Sequence, residues 1–505
     1  MAEFLTKERL AARPGFNRWL IPPAALAIHL SIGQAYAFSV FNLPLSKAIG
    51  ITAPGPGDWK LTDLGWVFTL AIVFLGLSAA AFGRWLEEAG PRKSGLVAAA
   101  CWGTGFLVGA LGVRTHQLWL LLLGYGVIGG CGLGLGYITP VSTLIKWFPD
   151  RRGMATGLAI MGFGGGAMIA APLSTALMRR FAGTGSVGVA ETFVVLGLIY
   201  FTAMALGALA FRLPAPGWRP AGYVQPAASA ALVSHRDVHP SEAIRTPQFW
   251  LLWAILCLNV TAGIGVLGQA SPMIQEVFKG RIDAAAAAGF VGLLSLFNMA
   301  GRFFWSSLSD RIGRRATYAT FFSLGALLYA AAPFAGMLGS AVLFVACFAV
   351  ILTMYGGGFA TIPAYLSDLF GTRYVGAIHG RLLTAWSAAG VLGPVLVNYI
   401  RQYEIDHGVP NAQAYNNTLF LMAGLLIVGL VCNLAVKAVD PRHHLAEGAA
   451  PAQGAAEVVP KAATGWNSLP GRGAPVIAAA WTLVGAPLAW GVASTIQRAL
   501  ALFRR

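Results

Sequence analysis

Apolar residues in this chain run in long blocks separated by short polar breaks. Twelve blocks fall at roughly 19–41, 62–85, 94–113, 117–139, 153–178, 190–212, 248–275, 284–308, 317–336, 338–366, 374–399 and 414–438. Each holds about 20 residues or more, enough at about 1.5 Å per residue to cross a hydrocarbon layer about 30 Å thick. The pattern predicts twelve transmembrane helices. A thirteenth block, 476–498, contains the run Trp481 to Gly491 and is expected to span as well. Met1 to Arg18 is polar and basic, and no small-residue cleavage site follows the first block, which therefore reads as a retained helix.

The polar breaks repeat. Gly83 to Arg92 finds a partner in Ser306 to Arg315, so that Glu87 falls on Asp310, Gly90 on Gly313 and Arg92 on Arg315, all at one offset. The same offset relates Pro140 to Pro363, Gly153 to Gly376 and Gly157 to Gly380. A constant shift through helices and loops alike means two copies of one helical unit. Parallel duplication of this kind is a transporter architecture, with the substrate site between the halves. The expected fold class is an all-α membrane protein of two six-helix bundles, 19–212 and 248–438, related by a pseudo-two-fold repeat, with a further C-terminal helix at 476–498. Residues 1–18 form a cytoplasmic N-terminus. A Pro-rich cytoplasmic linker, ordered in part at best, covers 213–247, and 439–475, rich in Ala, Pro and Gly, reads as a flexible tail.

Composition agrees: 57% of residues are hydrophobic, only 11% are charged, and the mean hydropathy is +0.67, values that exclude a soluble globular chain of this length. The net charge of +16 is not a nucleic-acid signature. With the N-terminus inside, cytoplasmic segments hold 22 of the 35 Lys and Arg residues, the asymmetry that orients polytopic membrane proteins. Anionic lipid headgroups are expected at that face, and no nucleic-acid partner. Arg179 and Arg180 dissent, as do Arg498, Arg504 and Arg505 if the thirteenth block spans. The five cysteines lie scattered in apolar blocks, with no ligand spacing, and read as packing residues. No metal or cofactor is expected. The glycine clusters of blocks four and five suit close helix packing. They lack the preceding strand and following Lys-Ser/Thr of a phosphate loop.

The motif Leu308 to Arg315 resembles the signature loop between helices eight and nine of the major facilitator superfamily, and Gly83 to Lys93 is its looser copy between helices two and three. Lys146 to Gly157, Gly356 to Gly371 and Gly33 to Phe41 resemble the oxalate/formate antiporter family, a group related to the monocarboxylate transporters. The resemblance covers roughly residues 20–438 and implies the major-facilitator fold, a carrier acting as a monomer, and multi-pass placement in a cell membrane, the bacterial inner membrane by analogy. Trp481 to Gly491 resembles a small one-helix protein found with some of these transporters.

Ionisable residues inside spans are costly and are functional candidates by default. Arg302 reads as a fixed cation, placed about six residues from the middle of its block, roughly 9 Å. Its planar fork suits a carboxylate. In the antiporter family a cation at this place binds the substrate carboxylate. The family implies aromatic cavity walls from Tyr36, Tyr137 and Tyr355. Where the oxalate antiporter has a second cation, this chain has Trp386, which favours a monoanion over a dianion. Where the proton-coupled monocarboxylate carriers have an aspartate, it has Asn298, which takes up no proton. Gln34, Asn259 and Gln269 are candidate hydrogen-bonding groups, and His29 a candidate proton carrier or ligand. Arg381, five residues from Trp386, points elsewhere and suits a gate. Glu87, Arg92, Asp310, Arg311, Arg314, Arg315 and Asp368 are expected to lock the cytoplasmic helix ends by charge-assisted bonds. The function expected is secondary transport of small organic anions, most of all monocarboxylates, by exchange. Proton-coupled monocarboxylate symport and dicarboxylate exchange are the alternatives. An enzyme is disfavoured because no metal-protease, Ser/His/Asp or nucleotide motif occurs, and a non-transporting anion sensor because the tail carries no signalling domain.

Overall fold

The computed structural model describes residues 7–13, 15–223, 234, 236–282, 284–445 and 474–500. Thirteen helices among them are long and apolar enough to cross a membrane. They are α1 Arg18–Leu45, α2 Leu61–Ala89, α3 Pro91–Arg114, α4 Leu118–Trp147, α5 Arg152–Phe181, α6 Val189–Ala210, α7 Pro247–Val277, α8 Ala286–Ile312, α9 Arg314–Met337, α10 Ala341–Phe370, α11 Val375–Asp406, α12 Asn416–Ala435 and α13 Ala474–Gln497. All thirteen apolar blocks are therefore helices. Several run further than hydropathy alone predicts: α2, α4, α8 and α10 add a turn or so of polar residues at the end rich in Lys and Arg, here called cytoplasmic.

Those extra turns build the repeat. At the start of α3 and of α9 the chain turns through Gly90 (φ 83°) and Gly313 (φ 87°), a backbone geometry that side chains disfavour. The arginine two residues on ties each bundle shut. Arg92 donates to the carbonyl of Phe211 at 3.2 Å, and Arg315 donates to that of Leu434. Phe211 and Leu434 are themselves related by the repeat offset. Arg92 and Arg315 thus act within a half, joining α3 to α6 and α9 to α12. Each of these two bonds holds the cytoplasmic ends of two helices together within a half.

The halves meet along two seams, α5 against α8 and α2 against α11. Glycine makes the approach possible: a Cβ on Gly157 would meet Arg302's carbonyl at 2.7 Å, and one on Gly380 would run into the α2 backbone at Ala79. The linker is more ordered than expected where it is described. Ser234 and Val238 donate backbone bonds to Asp368 and Phe370, and Pro240–Ala243 forms a helical turn. Residues 224–233 and 235 of the linker, and 446–473 of the expected tail, lie outside the described residues.

Helix α13 packs on α5 and α1 of one half and on α8 of the other. Leu488 lies over Gly165, Gly491 over Met168 and Ile169, and Thr495 beside Gly292. The numbering of contacts rises with that of α5, so the two helices run parallel and α13 ends at the outer face. The packing is a span, as expected, despite the charge dissent of its carboxyl end.

Candidate functional site

A cavity of about 490 Å³ lies between the halves and opens at the outer end. Its walls come from α1, α2 and α5 on one side and α7, α8 and α11 on the other, and Asn298 and Tyr36 stand among them. The winding of α1 decides what faces it. Gly33–Phe41 is a 3₁₀ helix, in which residues three apart eclipse. Tyr36, Ser39 and Asn42 therefore share the cavity wall. Gln34 turns into the amino-terminal bundle instead, where its carbonyl accepts from Tyr125 at 2.8 Å. Gln34 is corrected from a cavity ligand to a group inside one half.

Beneath the cavity lies a sealed aromatic layer. Arg302, fully buried, is three residues from the middle of α8, nearer the midplane than the sequence suggested. It threads between two glycines: a Cβ on Gly164 would sit 2.9 Å from its Nε, and one on Gly356 3.0 Å from its Cγ. Its guanidinium carbon is 5.3 Å from the Phe359 ring centroid and 5.7 Å from that of Phe163. Nε donates to Asn298 Oδ1 at 3.1 Å and Nη1 to the Ile160 carbonyl at 3.2 Å, while Nη2 has no partner. Asn298 thus orients the arginine, the role left to a residue that cannot hold a proton.

Trp386 fills the middle of the layer, its ring 4.5 Å from Phe359, 5.3 Å from Tyr137, 5.4 Å from Phe163 and 6.4 Å from Tyr36. Tyr355 reaches across the seam, with its hydroxyl 3.4 Å from that of Tyr36. Only Tyr36 among the three expected tyrosines lines the open cavity; Tyr137 and Tyr355 are buried below it. His29 is buried too, its Nε2 3.3 Å from the Tyr137 carbonyl. Asn259 and Gln269 do not line the open cavity themselves, although Gln269 bonds Asn398 of its wall. Asn259 lines a separate small crevice, and Gln269 lies near the outer end of the same half.

The layer holds a set of unsatisfied polar atoms: Arg302 Nη2, Trp386 Nε1, the Tyr137 hydroxyl, His29 Nδ1 and both ring nitrogens of His379. Each buried unsatisfied group costs about 1–3 kcal/mol. Several gathered at one interface are chemically suited to receive an anion. His379 was missed in the sequence although it lies in the same block as Arg381 and the rule that flagged Arg302 applies to it equally. Gly164, read as a packing residue, and Gly356, read as part of the motif Gly356 to Gly371, shape the arginine's slot.

Below the layer the cytoplasmic ends are shut by two matching contacts. Asp310 accepts from the backbone N–H of Gly153 and Met154 at 2.9 and 2.8 Å, capping α5 from across the seam. Glu87 accepts from the N–H of Gly376 at 3.0 Å, capping α11 in the same way. A carboxylate at a helix amino terminus meets both unsatisfied donors and the positive end of the dipole. Around them Lys146 and Ser142 hold Glu87 at 2.5 and 2.9 Å. Arg314 joins Asp310 to Asp368 at 2.7 and 3.0 Å, and Arg152 of the other half reaches Asp368 at 3.0 Å. Asp310, Arg314 and Asp368 thus come together with Arg152 at the α5–α8 seam, and Glu87 makes the matching contact at the α2–α11 seam. Arg311 is exposed, and Arg381 is half-buried on α11 with its Nη1 unpartnered, outside the cavity wall.

Comparison with known proteins gives the family. The oxalate:formate antiporter of Oxalobacter formigenes is 28% identical over 378 residues, 75% of this chain and 83% of that protein. Apicoplast pyruvate carrier 1 of Toxoplasma gondii is 25% identical over 66% of this chain and 69% of its own length. Among solved structures, the fucose:proton symporter of Escherichia coli shares the fold, with a TM-score of 0.60 at 15% identity, covering 83% of this chain and 99% of that one. The family match, Major Facilitator Superfamily, spans residues 15–394. This chain is a multi-pass membrane transporter, not an enzyme, and it belongs to the Major Facilitator Superfamily.

Proposed function

We propose that the protein carries small monocarboxylates across the membrane by alternating access, exchanging one anion for another. The observation that carries this reading is Arg302: a permanent cation, fully buried at the seam between halves, with one guanidinium nitrogen unpartnered inside an aromatic enclosure. A carboxylate entering by the outer cavity meets Arg302 Nη2, the Tyr137 hydroxyl and Trp386 Nε1, three donors that suit its oxygens. Pairing a buried charge recovers part of the desolvation that burial costs, so binding and closure of the layer reinforce each other. The relatives' names, an oxalate:formate antiporter and a pyruvate carrier, support the substrate class.

Trp386 and Asn298 supply no second charge, so a dicarboxylate would bury its other end unpaired. Exchange follows if the unliganded cation resists reorientation through a closed, dry state, whereas the anion-paired site permits it. The test is counterflow: purified protein in liposomes preloaded with pyruvate, formate, lactate or oxalate, with external labelled anion and no ion gradient. Accumulation dependent on internal monocarboxylate is expected. Absence of counterflow for all four anions, from protein correctly inserted, overturns the reading.

A further inference from the structure

We infer that His379 is a proton-binding site of the transport cycle, filled together with the anion at Arg302. The inference rests on the carboxylate reading above and assigns it a coupled ion. His379 lies on α11, is 1% exposed, and has neither ring nitrogen hydrogen-bonded. An imidazole in its neutral form carries one donor and one acceptor, and both are left unmet here. Its ring stands 5.8 Å from that of Tyr137, and the His29 ring stands 5.4 Å from the same tyrosine. His29 is committed, since its Nε2 is held against the Tyr137 carbonyl. His379 is the freer of the two, and it belongs to the other half of the molecule.

Its surroundings set the logic. From α1 His29 faces the cluster, from α4 Tyr137, and from α8 Arg302, separated by the Tyr137 and Trp386 rings. From α2 Glu87 binds the backbone of Gly376, one turn earlier on α11, and is itself held by Lys146 of α4. On α10 Tyr355 bonds Tyr36, and Asp368 is taken by Arg152 and Arg314. On the short helix Pro240–Ala243, Glu242 is held by Arg245 and His443. No carboxylate is left beside His379 among these described groups, and the cations near it not matched by a carboxylate are Arg381, two residues on along α11, and Arg302 beyond the Tyr137 and Trp386 rings. With Arg302 bare, a second positive charge at His379 is opposed by like-charge repulsion. With a carboxylate on Arg302 that part of the opposition is removed, while Arg381 is unchanged between the two states. Anion and proton therefore favour each other, and by linkage each raises the other's affinity by the same factor.

The position also gives the proton a way out. His379 is three residues from Gly376, whose N–H closes the cytoplasmic gate on Glu87. Parting of that contact in the inward-facing state opens the same turn of α11 to cytoplasmic water. An anion that has brought a proton can then leave with it, which makes the direction of exchange respond to a pH gradient although Asn298 takes up no proton.

The experiment uses the full-length protein in lipid nanodiscs and pyruvate as probe. Calorimetry in buffers of different ionisation enthalpy counts protons taken up per pyruvate bound between pH 5.5 and 8. Wild type is expected to take up close to one proton somewhere in this range, with apparent affinity tightening by up to roughly tenfold per pH unit on acidification. His379→Gln and His379→Asn are expected to bind with a flat pH profile and no proton uptake. Pyruvate binding to wild type with no proton uptake anywhere in the range overturns the proton site while leaving the carboxylate reading intact. So does a His379 variant whose affinity drops equally at every pH with its slope unchanged, since that is a hydrogen bond to substrate. Failure of wild type to bind pyruvate, formate, lactate or oxalate overturns the carboxylate reading itself, and this inference with it.

Discussion

At the scale of single residues, the site is one charge and the groups that frame it. Arg302 makes directional bonds with Nε and Nη1 and keeps Nη2 unpartnered, an arrangement a lysine ammonium cannot copy. Arg302→Lys is expected to reach the membrane and lose counterflow by roughly tenfold or more, the worth of one charge-assisted bond of about 1.5–3 kcal/mol. Trp386 touches Tyr137, Phe163 and Phe359, so Trp386→Lys removes the middle of the aromatic layer while adding a cation. Competition of labelled pyruvate by oxalate is expected to improve by about 1–3 kcal/mol if the new pair is desolvated, with monocarboxylate affinity weakened. Full transport in Arg302→Lys together with unchanged selectivity in Trp386→Lys would place the site elsewhere.

At the scale of helices, what matters is how the ends of one half cap those of the other. The repeat supplies the same device twice, Asp310 on α5 and Glu87 on α11, with different supporting cations. The amides are close in shape but lose the charge, and Asp310→Asn also loses one of the two acceptor oxygens that hold Gly153 and Met154. Glu87→Gln with Asp310→Asn is therefore expected to weaken the closed cytoplasmic gate by about 1.5–3 kcal/mol, shifting the outward-to-inward ratio roughly tenfold to hundredfold. The readout is labelling of Ser39→Cys, in the outer cavity wall, by an impermeant thiol reagent in a Cys-free background. Labelling should fall several-fold in the double variant, in proportion to the lost outward-open population. An unchanged rate would mean that these carboxylates do not hold the gate.

At the scale of the molecule, two six-helix halves close on the cytoplasmic side and part on the outer side, and α13 leans on both across the α5–α8 seam. Most of α13 faces away from the other helices, and none of its described residues lines the cavity. Removing 474–505 uncovers Gly165, Met168 and Ile169, with an expected stability loss of about 1–3 kcal/mol from lost apolar contact. Counterflow should survive in liposomes even as the unfolding temperature drops. Complete loss of transport from a correctly inserted truncation would make α13 part of the transport core.

The sequence by itself determined the membrane class, all thirteen helices, the duplication and the arginine inside α8. Each is written in local composition or in a fixed offset that no folding is needed to see. It also pointed to the acids of the repeated loop, because Glu87 and Asp310 keep the register of the duplication. What it could not give was direction. The same loop supplies Arg92 and Arg315, and only the tertiary structure shows that they bond within a half while the acids bond between halves. The 3₁₀ winding of α1, which sends Tyr36 to the cavity and Gln34 away from it, arises where Gly33 is pressed against the α5 backbone. Hydropathy carries no trace of that contact. His379 falls on Thr156 in the repeat, so no like residue in the other half announces it. Its meaning comes from burial beside Tyr137 with both nitrogens unmet, and that is a property of packed neighbours rather than of chain order.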